Sequence, residues 1–437
     1  MTSIEYLSIS GFKRIQDLDI EPGQINILTG RNNTGKTSLL ESIDFLFTTQ
    51  NPDRYGDNIE YMINVHSERA SLKCKYRKEK QLTIENFSGS DVSNQNTRNV
   101  EIRQPDRSES IKLLIDGIMD IVETGPNSDY FINRFVGREF DIDKHDISKE
   151  SIEKSIEEGI ANLSEEVIYE AIDGSSVVIR VGKEEYPYVY FGEFYQSLST
   201  RIAEQAIGEF YNLSSTPSRQ EEGIPQEPLD RMFNDLLVPR FGRGRFIYDD
   251  PPREPVVKFV DSIMVSQEDV DTDNAAVRVS RIEDYLLEHN LVNNLADFSF
   301  NDIVFEKSGE KYQVPYSFMG DGFKSVVGLL WALSDQRSTG NVLLLEEPET
   351  HMHPGYVNTM VHYLIDLAME SNLQLFISTH DMDFIRGFFS NAVVGDQENF
   401  LRNEFQVFQM EGDTTQSISY TEARNRMNEL QLDLRGI

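Results

Sequence analysis

The chain has 437 residues, with 74 Asp and Glu against 41 Lys and Arg, so its formal net charge is −33. An acidic balance of this size repels the nucleic-acid backbone over most of the surface, although a local basic patch can still bind DNA. The single cysteine, Cys74, excludes an intrachain disulfide, and no stretch is apolar for long enough to span a bilayer. The start of the chain also lacks the plan of a signal peptide. We therefore expect a cytoplasmic protein with no membrane segment, whose acidic surface reflects either a salt-rich host or a basic partner.

Two strands around a turn are predicted at the start of the chain. Apolar residues alternate from Ile4 to Ile20, as in strands with one buried face, and Gly11-Phe12-Lys13 marks the turn. A third strand, Ile25 to Leu28, is a short apolar run. It leads directly into the most informative motif of the sequence.

That motif is Gly30-x-x-x-x-Gly35-Lys36-Thr37, which lies between the third strand and a helix expected to begin near Ser38. A phosphate-binding loop requires this order of strand, glycine loop and helix. The glycines allow a tight turn whose N–H groups face a polyphosphate, and the helix adds the positive end of its dipole. Lys36 is placed to neutralise the β- and γ-phosphates, and the Thr37 hydroxyl to complete a Mg²⁺ shell. The predicted nucleotide-binding residues are Gly30, Asn32, Asn33, Thr34, Gly35, Lys36, Thr37 and Ser38.

The stretch after this helix predicts strands and then a loop. Ala70 to Tyr76 and Gln81 to Ile84 read as strands. Residues 88–108 are rich in Ser, Asn, Asp and Gly without a period, so we predict a loop there. Cys74 alternates with charged neighbours, which favours a strand residue over a reactive thiol.

The middle of the chain, residues 109–274, mixes helical and strand patterns and contains no sustained heptads or internal repeat. Its role cannot be assigned from the sequence. The expected elements are helices at Ile111 to Val122, Lys149 to Ala171 and Gly192 to Leu213, strands at Ser175 to Val181 and Tyr186 to Phe191, and an exposed linker at Ser214 to Glu227.

A basic patch lies between Pro239 and Arg253. It contains Arg240, Arg243, Arg245 and Arg253, interleaved with glycines and an aromatic residue. Such a patch can salt-bridge acidic neighbours, which is the commoner case, or it can form a nucleic-acid-binding strip. Both interpretations stay open at this point.

Regular patterns return near Ala275. Val279 to Asn290 has the spacing of an amphipathic helix, and residues 302–306 and 311–315 look like a hairpin. The segment Ser317 to Gly322 then leads into an apolar helix, Phe323 to Leu333. Glycines and a serine before a helix present N–H groups to an anion, or they form a simple helix cap.

Two carboxylates follow the apolar run Val342 to Leu345. This pattern predicts a buried parallel strand that delivers Glu346 and Glu347 to the edge of the sheet where ligands bind. Glu346 is placed to hold the Mg²⁺ shell through water, and Glu347 to orient or polarise an attacking water. Solvated acids at a strand end are common, so this motif indicates a catalytic site only in combination with the phosphate loop.

A second buried strand, Leu373 to Ser378, ends in Thr379-His380-Asp381. His380 is placed to donate a hydrogen bond to a γ-phosphate, although a lone histidine is more often structural. His351 and His353 are two residues apart, and their context of Glu-Thr-His-Met-His-Pro favours a turn and helix start over a metal site.

With these stretches in this order, the chain resembles the ABC-type ATPases of the SMC/RecF/OLD group, closest to small OLD-like AAA-domain ATPases. The resemblance covers about 1–90 and 275–437. It implies an α/β P-loop head with a mixed, largely parallel central sheet flanked by helices and an N-terminal antiparallel sheet, interrupted by an α+β insertion. The implied division is 1–108 and 275–437 for the head and 109–274 for the insertion.

The resemblance also implies site residues and partners. ATP and Mg²⁺ are the expected cofactors, with Thr37 and Glu346 at the metal and Glu347 and His380 in catalysis. Many relatives have Asp where Glu346 stands. The residues Ser317, Gly320, Asp321 and Gly322 resemble a degenerate signature motif, which in this group contacts the γ-phosphate bound by the opposite subunit. Gln50 is the candidate for the Q-loop.

We therefore expect a homodimer or higher homo-oligomer formed around ATP, which controls a separate effector protein in defence against phage or plasmids. Relatives that are nucleases carry a further C-terminal domain, and only 57 residues follow His380, so we expect no DNA cleavage by this chain. Two alternatives stay open: a RecF-like DNA-repair ATPase, which the acidic charge disfavours, and a scaffold that binds ATP without hydrolysing it.

Overall fold

The structure is a computed structural model. It describes residues 3–48, 52–77, 95–124, 149–170, 174–190, 193–214, 231, 233, 237, 256–260, 275–288, 291–334, 342–371, 373–412 and 414–428. Several predictions lie outside these residues. They are the strand at Gln81 to Ile84, the linker from Ser214 to Glu227 except for Ser214 itself, the Q-loop candidate Gln50, and the basic patch from Pro239 to Arg253.

The elements are numbered here in chain order among the described residues. The strands are β1 (Ser3–Phe12), β2 (Ile15–Ile20), β3 (Ile25–Gly30), β4 (Arg69–Arg77), β5 (Gln95–Arg103), β6 (Ser176–Val181), β7 (Glu184–Val189), β8 (Val257–Val260), β9 (Leu295–Phe298), β10 (Asp302–Lys307), β11 (Glu310–Pro315), β12 (Val342–Glu346), β13 (Gln374–Ser378), β14 (Phe405–Glu411) and β15 (Thr414–Ser419). The α-helices are α1 (Lys36–Phe47), α2 (Arg107–Thr124), α3 (Lys149–Ala161), α4 (Glu165–Glu170), α5 (Glu193–Ser214), α6 (Ala275–Glu288), α7 (Asp321–Ser334), α8 (Pro354–Ser371), α9 (Met382–Gly387), α10 (Asp396–Glu404) and α11 (Tyr420–Asn428). Short 3-10 segments lie at Pro52–Met62 and Tyr316–Phe318.

The chain divides into two compact units. The first comprises residues 1–49, 71–99 and 250–437, and the second comprises residues 50–70 and 100–249. The second unit therefore includes a segment that precedes the expected insertion, because residues 50–70 associate with it. No helix in the described part of either unit is both long enough and apolar enough to cross a membrane.

The centre of the first unit is a six-stranded sheet in the order β15-β14-β3-β13-β12-β8. The strands from β14 to β8 run parallel, and β15 joins the edge antiparallel to β14. Strands β3 and β13 are buried at every position, as expected for parallel strands covered on both faces. Glu346 pairs with Ser378, and Ser378 pairs with Leu28, so the strand ends that carry the predicted site lie side by side.

The N-terminal strands of this unit form an antiparallel arrangement in which β1 lies between β2 and β4. Cys74 on β4 is fully buried, which confirms its role as a strand residue, and burial raises the pKa of its thiol to about 12. A separate antiparallel sheet has the order β11-β10-β9 and contains the predicted hairpin. Together with the parallel sheet, these strands confirm the predicted α/β class with an antiparallel N-terminal part.

Helix α1 of the first unit is buried on nearly all sides, since only Thr37 and Glu41 of its 12 residues are not buried. Leu39, Leu40, Ile43 and Leu46 recur at helical spacing on α1 and are fully buried. Burial of each such side chain contributes about 2 kcal/mol relative to exposure. The helix that starts in the phosphate loop is therefore held rigidly by the core.

The second unit combines helices with a small antiparallel sheet. The C-terminal half of β5 pairs with β6, and β6 pairs with β7. Its apolar core comes mainly from α2, α3 and α5, with Leu114, Ile156 and Ile202 among the buried residues. The predicted mixture of helices and strands in the middle of the chain is thus present.

Two local predictions in this region were wrong. The loop expected over 88–108 contains β5, whose Val100 and Ile102 are buried, and the start of α2. The helix expected from Lys149 to Ala171 is interrupted between α3 and α4. The interruption has a local cause, because the Ser164 hydroxyl accepts a 3.4 Å hydrogen bond from the N–H of Val167 at the start of α4.

Candidate active site

The phosphate loop connects β3 to α1 through three residues with positive φ. These are Gly30 (φ 143°), Asn33 (φ 62°) and Gly35 (φ 101°). A Cβ atom on Gly30 would lie 2.3 Å from the carbonyl oxygen of Met410, so no larger residue fits beside β14. The backbone therefore turns as tightly as the sequence pattern predicted, and α1 begins at Lys36.

Lys36 is buried, with 6% of its surface exposed. Its Nζ donates hydrogen bonds to the carbonyl oxygens of Gly30 (3.0 Å) and Arg31 (2.8 Å). Burial lowers the pKa of Lys36, and the nearby carboxylates Glu347 and Glu346 oppose that shift. Because both hydrogen-bond acceptors are neutral carbonyls, the ammonium charge remains available to a phosphate that enters the loop.

Thr37 and Glu346 meet at the edge of the sheet. The Thr37 hydroxyl on α1 donates a hydrogen bond to Oε1 of Glu346 at the end of β12, although the two residues are 309 positions apart in sequence. A hydroxyl and a carboxylate oxygen are hard ligands of the kind that Mg²⁺ prefers. The two residues predicted for the metal are thus brought together beside the phosphate loop, and their chemistry fits it.

Glu347 and His380 form the second pair. Nε2 of His380 lies 2.7 Å from a carboxylate oxygen of Glu347, and both side chains remain more than a third exposed. The N–H of Glu347 donates to the carbonyl of Ser378 at 2.9 Å, so the turn after β12 is tied to the end of β13. Glu347 has φ 44°, a left-handed conformation that is costly for a residue with a side chain.

A cleft of about 960 Å³ contains most of these groups. Its volume lies at the upper end of the usual range for ligand sites, which suits a nucleotide. Of the predicted residues, Thr34 and Glu346 are not among those that line it; Thr34 instead donates a hydrogen bond to the Arg31 carbonyl at 2.9 Å. The cleft is lined by Arg14, Gly30, Arg31, Asn32, Asn33, Gly35, Lys36, Thr37, Ser38, Glu347, Ser378 and His380.

The lining residues that were not predicted are Arg14, Arg31 and Ser378, of which Arg31 lies within the phosphate loop itself. Arg14 comes from the turn between β1 and β2, where Lys13 forms an ion pair with Glu41 of α1. The turn was recognised in the sequence, but nothing there indicated that it reaches the phosphate loop. Ser378 lies on β13, and its buried hydroxyl has no hydrogen-bond partner among the described residues. Its position at a strand end beside Glu346 is the only signal that could have identified it.

The signature-like residues lie elsewhere on the first unit. Ser317 belongs to a 3-10 turn, and Asp321 and Gly322 start α7. A Cβ atom on Gly322 would lie 2.8 Å from the His351 carbonyl, so this helix start packs closely on the turn after β12. None of Ser317, Gly320, Asp321 and Gly322 is among the residues that line the cleft of the same chain.

His353 has a structural contact that fits the preferred sequence interpretation. Its Nδ1 accepts a 3.1 Å hydrogen bond from the N–H of Gly355 in the first turn of α8. His351 has φ 68° and contributes its backbone to the turn. The two histidines therefore shape the approach to the helix.

Two family models match the chain. The model described as "AAA domain, putative AbiEii toxin, Type IV TA system" matches residues 198–386, and a model described as "AAA domain" matches residues 6–186. Neither match reaches half of the chain, but the two fall on successive parts of it and both describe AAA domains. They support ATP binding and hydrolysis as the activity of the chain. No curated protein matches the sequence.

Solved structures with similar folds include heads of SMC proteins. The Smc head domain from Pyrococcus furiosus, with an extended coiled coil and bound to the C-terminal domain of ScpA, has a TM-score of 0.41 at 14% identity, covering 99% of this chain and 100% of that one. The SMC head domain from Thermotoga maritima has a TM-score of 0.41 at 10% identity, covering 95% and 98%. Because these scores are low, the fold assignment depends on the strand order and the phosphate loop.

Proposed function

We propose that this AAA-type ATPase is an OLD-like, dimerising ATP switch that acts on a separate effector protein in the cytoplasm. One observation carries the proposal. Lys36, the Thr37–Glu346 pair and the Glu347–His380 pair lie beside one phosphate loop, although Thr37 on α1 and Glu346 on β12 are 309 positions apart in sequence. Phosphoryl transfer requires ligands for Mg²⁺, which the Thr37–Glu346 pair can provide, and groups that act on the attacking water and the γ-phosphate, which the Glu347–His380 pair can provide.

Each residue of the site has its own proposed role in ATP binding or hydrolysis. The loop N–H groups and Lys36 would hold the β- and γ-phosphates, and Thr37 and Glu346 would hold Mg²⁺. When bound, the metal neutralises charge that develops on the phosphate oxygens. Glu347 orients or polarises the attacking water, and His380 donates a hydrogen bond to the γ-phosphate.

A second copy of the chain is proposed to complete the site. Ser317, Gly320, Asp321 and Gly322 do not line the cleft of their own chain. The N–H groups at the start of α7 have the polarity that suits a phosphate, and the neighbouring Phe318 is 81% exposed. If each chain placed this segment against the cleft of the other, the dimer would enclose two nucleotides. ATP turnover would then be slow until the dimer assembles.

The link to an effector and to defence against phage or plasmids is an argument by analogy. One matching family model is described with a toxin of a toxin–antitoxin system, which is compatible with such a role. In this proposal, ATP closes the dimer and hydrolysis reopens it, which changes the contacts offered to a partner.

The test is Glu347→Gln, compared with the wild type and with Glu370→Gln, an exposed glutamate at the far end of α8. Phosphate release and the mass of the complex are measured with and without Mg²⁺ and ATP. We expect Glu347→Gln to lose turnover by about 100-fold or more and to accumulate as an ATP-bound dimer. The control should behave as the wild type.

Two outcomes would contradict the proposal. Unchanged phosphate release by Glu347→Gln would remove the hydrolytic assignment and favour a scaffold that only binds ATP. A monomeric mass under all conditions would remove the assembly around ATP. Stimulation by DNA that falls with rising salt would instead favour the DNA-repair alternative.

A further inference from the structure

We propose that Glu349 and Thr379 form a buried positioning pair that holds Glu347 and His380 in register for ATP hydrolysis. This inference rests on the proposed hydrolytic function and adds two residues to it. Neither side chain lines the cleft, so both would act through the residues that do.

The pair joins the two segments that carry the catalytic residues. The Thr379 hydroxyl donates a hydrogen bond to Oε1 of Glu349, and both residues are buried, with exposures of 0% and 8%. Glu349 lies two residues after Glu347, and Thr379 lies directly before His380. A movement of either segment would break a buried hydrogen bond, which is costly because its donor and acceptor would then be buried without a partner.

Thr379 is itself fixed on both sides. Its N–H donates to the Leu28 carbonyl of β3 at 3.1 Å, and its hydroxyl accepts from the N–H of Asp381 at 3.0 Å. The Asp381 carboxylate in turn accepts hydrogen bonds from the N–H groups of Asp383 and Phe384, capping α9. Thr379 therefore connects the phosphate-loop strand, the His380 segment and Glu349.

Glu347 needs such an anchor because its backbone is strained. A left-handed conformation, here φ 44°, is unfavourable for a residue with a side chain and persists only when its surroundings enforce it. The N–H of Glu347 is held by Ser378, and its carbonyl accepts from the N–H of Thr350 at 3.0 Å. The Glu349 side chain fixes the next part of the same turn, so the carboxylate of Glu347 keeps its 2.7 Å approach to His380.

Glu349 has the chemistry of a buried carboxyl that is protonated below about pH 7. Its Oε2 is buried without a hydrogen-bond partner among the described residues. Burial raises the pKa of Glu349 to about 7, and the carboxylates of Asp381 and Glu347 add to that shift while the Thr379 hydrogen bond opposes it. A protonated carboxyl and a glutamine amide have similar shape, and both can accept the Thr379 hydrogen bond.

The test compares paired variants of the full chain with Mg²⁺ and ATP. Glu349→Leu and Thr379→Val remove the hydrogen bond, whereas Glu349→Gln and Thr379→Ser retain it. We expect the first two to lower kcat by about 10- to 100-fold. The KM for ATP should change by less than about two-fold, because neither residue contacts the nucleotide. The conservative variants should recover at least about ten-fold of the loss. Glu370→Leu is the matched control at an exposed site.

A structural role alone would give a different pattern. Equal losses from Thr379→Ser and Thr379→Val, or parallel losses of kcat and of thermal stability in Glu349→Gln, would overturn the positioning role. The double variant Glu349→Leu with Thr379→Val should be no worse than the poorer single variant, since the two residues share one interaction. Additive losses would also contradict the pair.

The test separates this inference from the function on which it rests. If Glu347→Gln abolishes turnover while Glu349→Leu and Thr379→Val keep wild-type kcat, the hydrolytic assignment stands and the positioning pair is wrong. If Glu347→Gln leaves turnover unchanged, the proposed function itself fails.

Discussion

The phosphate loop and the signature-like segment are both glycine-containing turns that open a helix, yet their surroundings differ. At the phosphate loop, Gly30 lies against β14 with no room for a Cβ atom, and Lys36 is buried. At the signature-like segment, a Cβ atom on Gly320 would contact nothing within 4 Å, and Phe318 is largely exposed. One turn is enclosed by its own chain, while the other is exposed. Similar sequence patterns therefore form an enclosed loop in one place and an exposed surface in the other.

We expect the largest effect from a substitution in the enclosed phosphate loop. Lys36→Ala removes the buried ammonium that the loop carbonyls hold, so ATP affinity should fall by about 100-fold or more. Equilibrium binding of a fluorescent ATP analogue measures this loss. Lys183→Ala, at an exposed turn of the second unit, is the control. Retained affinity in Lys36→Ala would show that the cleft is not the nucleotide site.

The open side is tested by Gly320→Glu. A Cβ atom at Gly320 would meet nothing of its own chain within 4 Å, so ATP binding by the monomer and thermal stability should stay close to wild type. A bulky anion facing the partner's γ-phosphate should lower turnover by about ten-fold or more and reduce the dimer fraction. Gly208→Glu on α5, where a Cβ atom also meets nothing within 4 Å, is the control. Full turnover by Gly320→Glu would argue against completion of the site by a second copy.

A pH experiment probes the enclosed side further. The pKa of Glu349 is raised by burial from 4.5 to about 7, so the folded state binds more protons than the unfolded state between these values. Stability contributed by the protonated carboxyl is therefore lost as pH rises through this window, by up to about 3 kcal/mol. Urea unfolding at pH 4.5 and pH 8 should show this loss in the wild type and a smaller loss in Glu349→Gln. An equal loss in both would assign the pH dependence to other groups.

The smallest expected effect concerns the neighbouring glycine. A Cβ atom on Gly322 would lie 2.8 Å from the His351 carbonyl, so Gly322→Ala should destabilise the fold by about 1–2 kcal/mol. Chemical denaturation measures the change, with Gly320→Ala as the control that should differ little. Equal stability of the two variants would mean that the contact between α7 and the turn after β12 relaxes easily.

The phosphate loop, the two acidic positions and the strand that precedes His380 could all be predicted from the sequence. Local physics is sufficient there, since two glycines, a lysine and apolar runs of strand length specify conformations that depend little on distant residues. The same is true of α1, whose closely spaced apolar residues agree with its burial on nearly all sides. The conformation of β5 could not be predicted, because a polar strand gains its stability from pairing with β6.

Packing between distant segments determines which groups meet. The parallel order β12-β13-β3 brings Glu346 to Thr37, 309 positions away in sequence, and ties Glu347 to Ser378 at the end of the neighbouring strand. Arg14 enters the cleft because a turn is held over α1 by an ion pair, and Glu349 is buried because its turn folds back onto β13. The physical reason is common to all of these. Strand order and burial depend on packing between distant segments, which a local pattern does not encode.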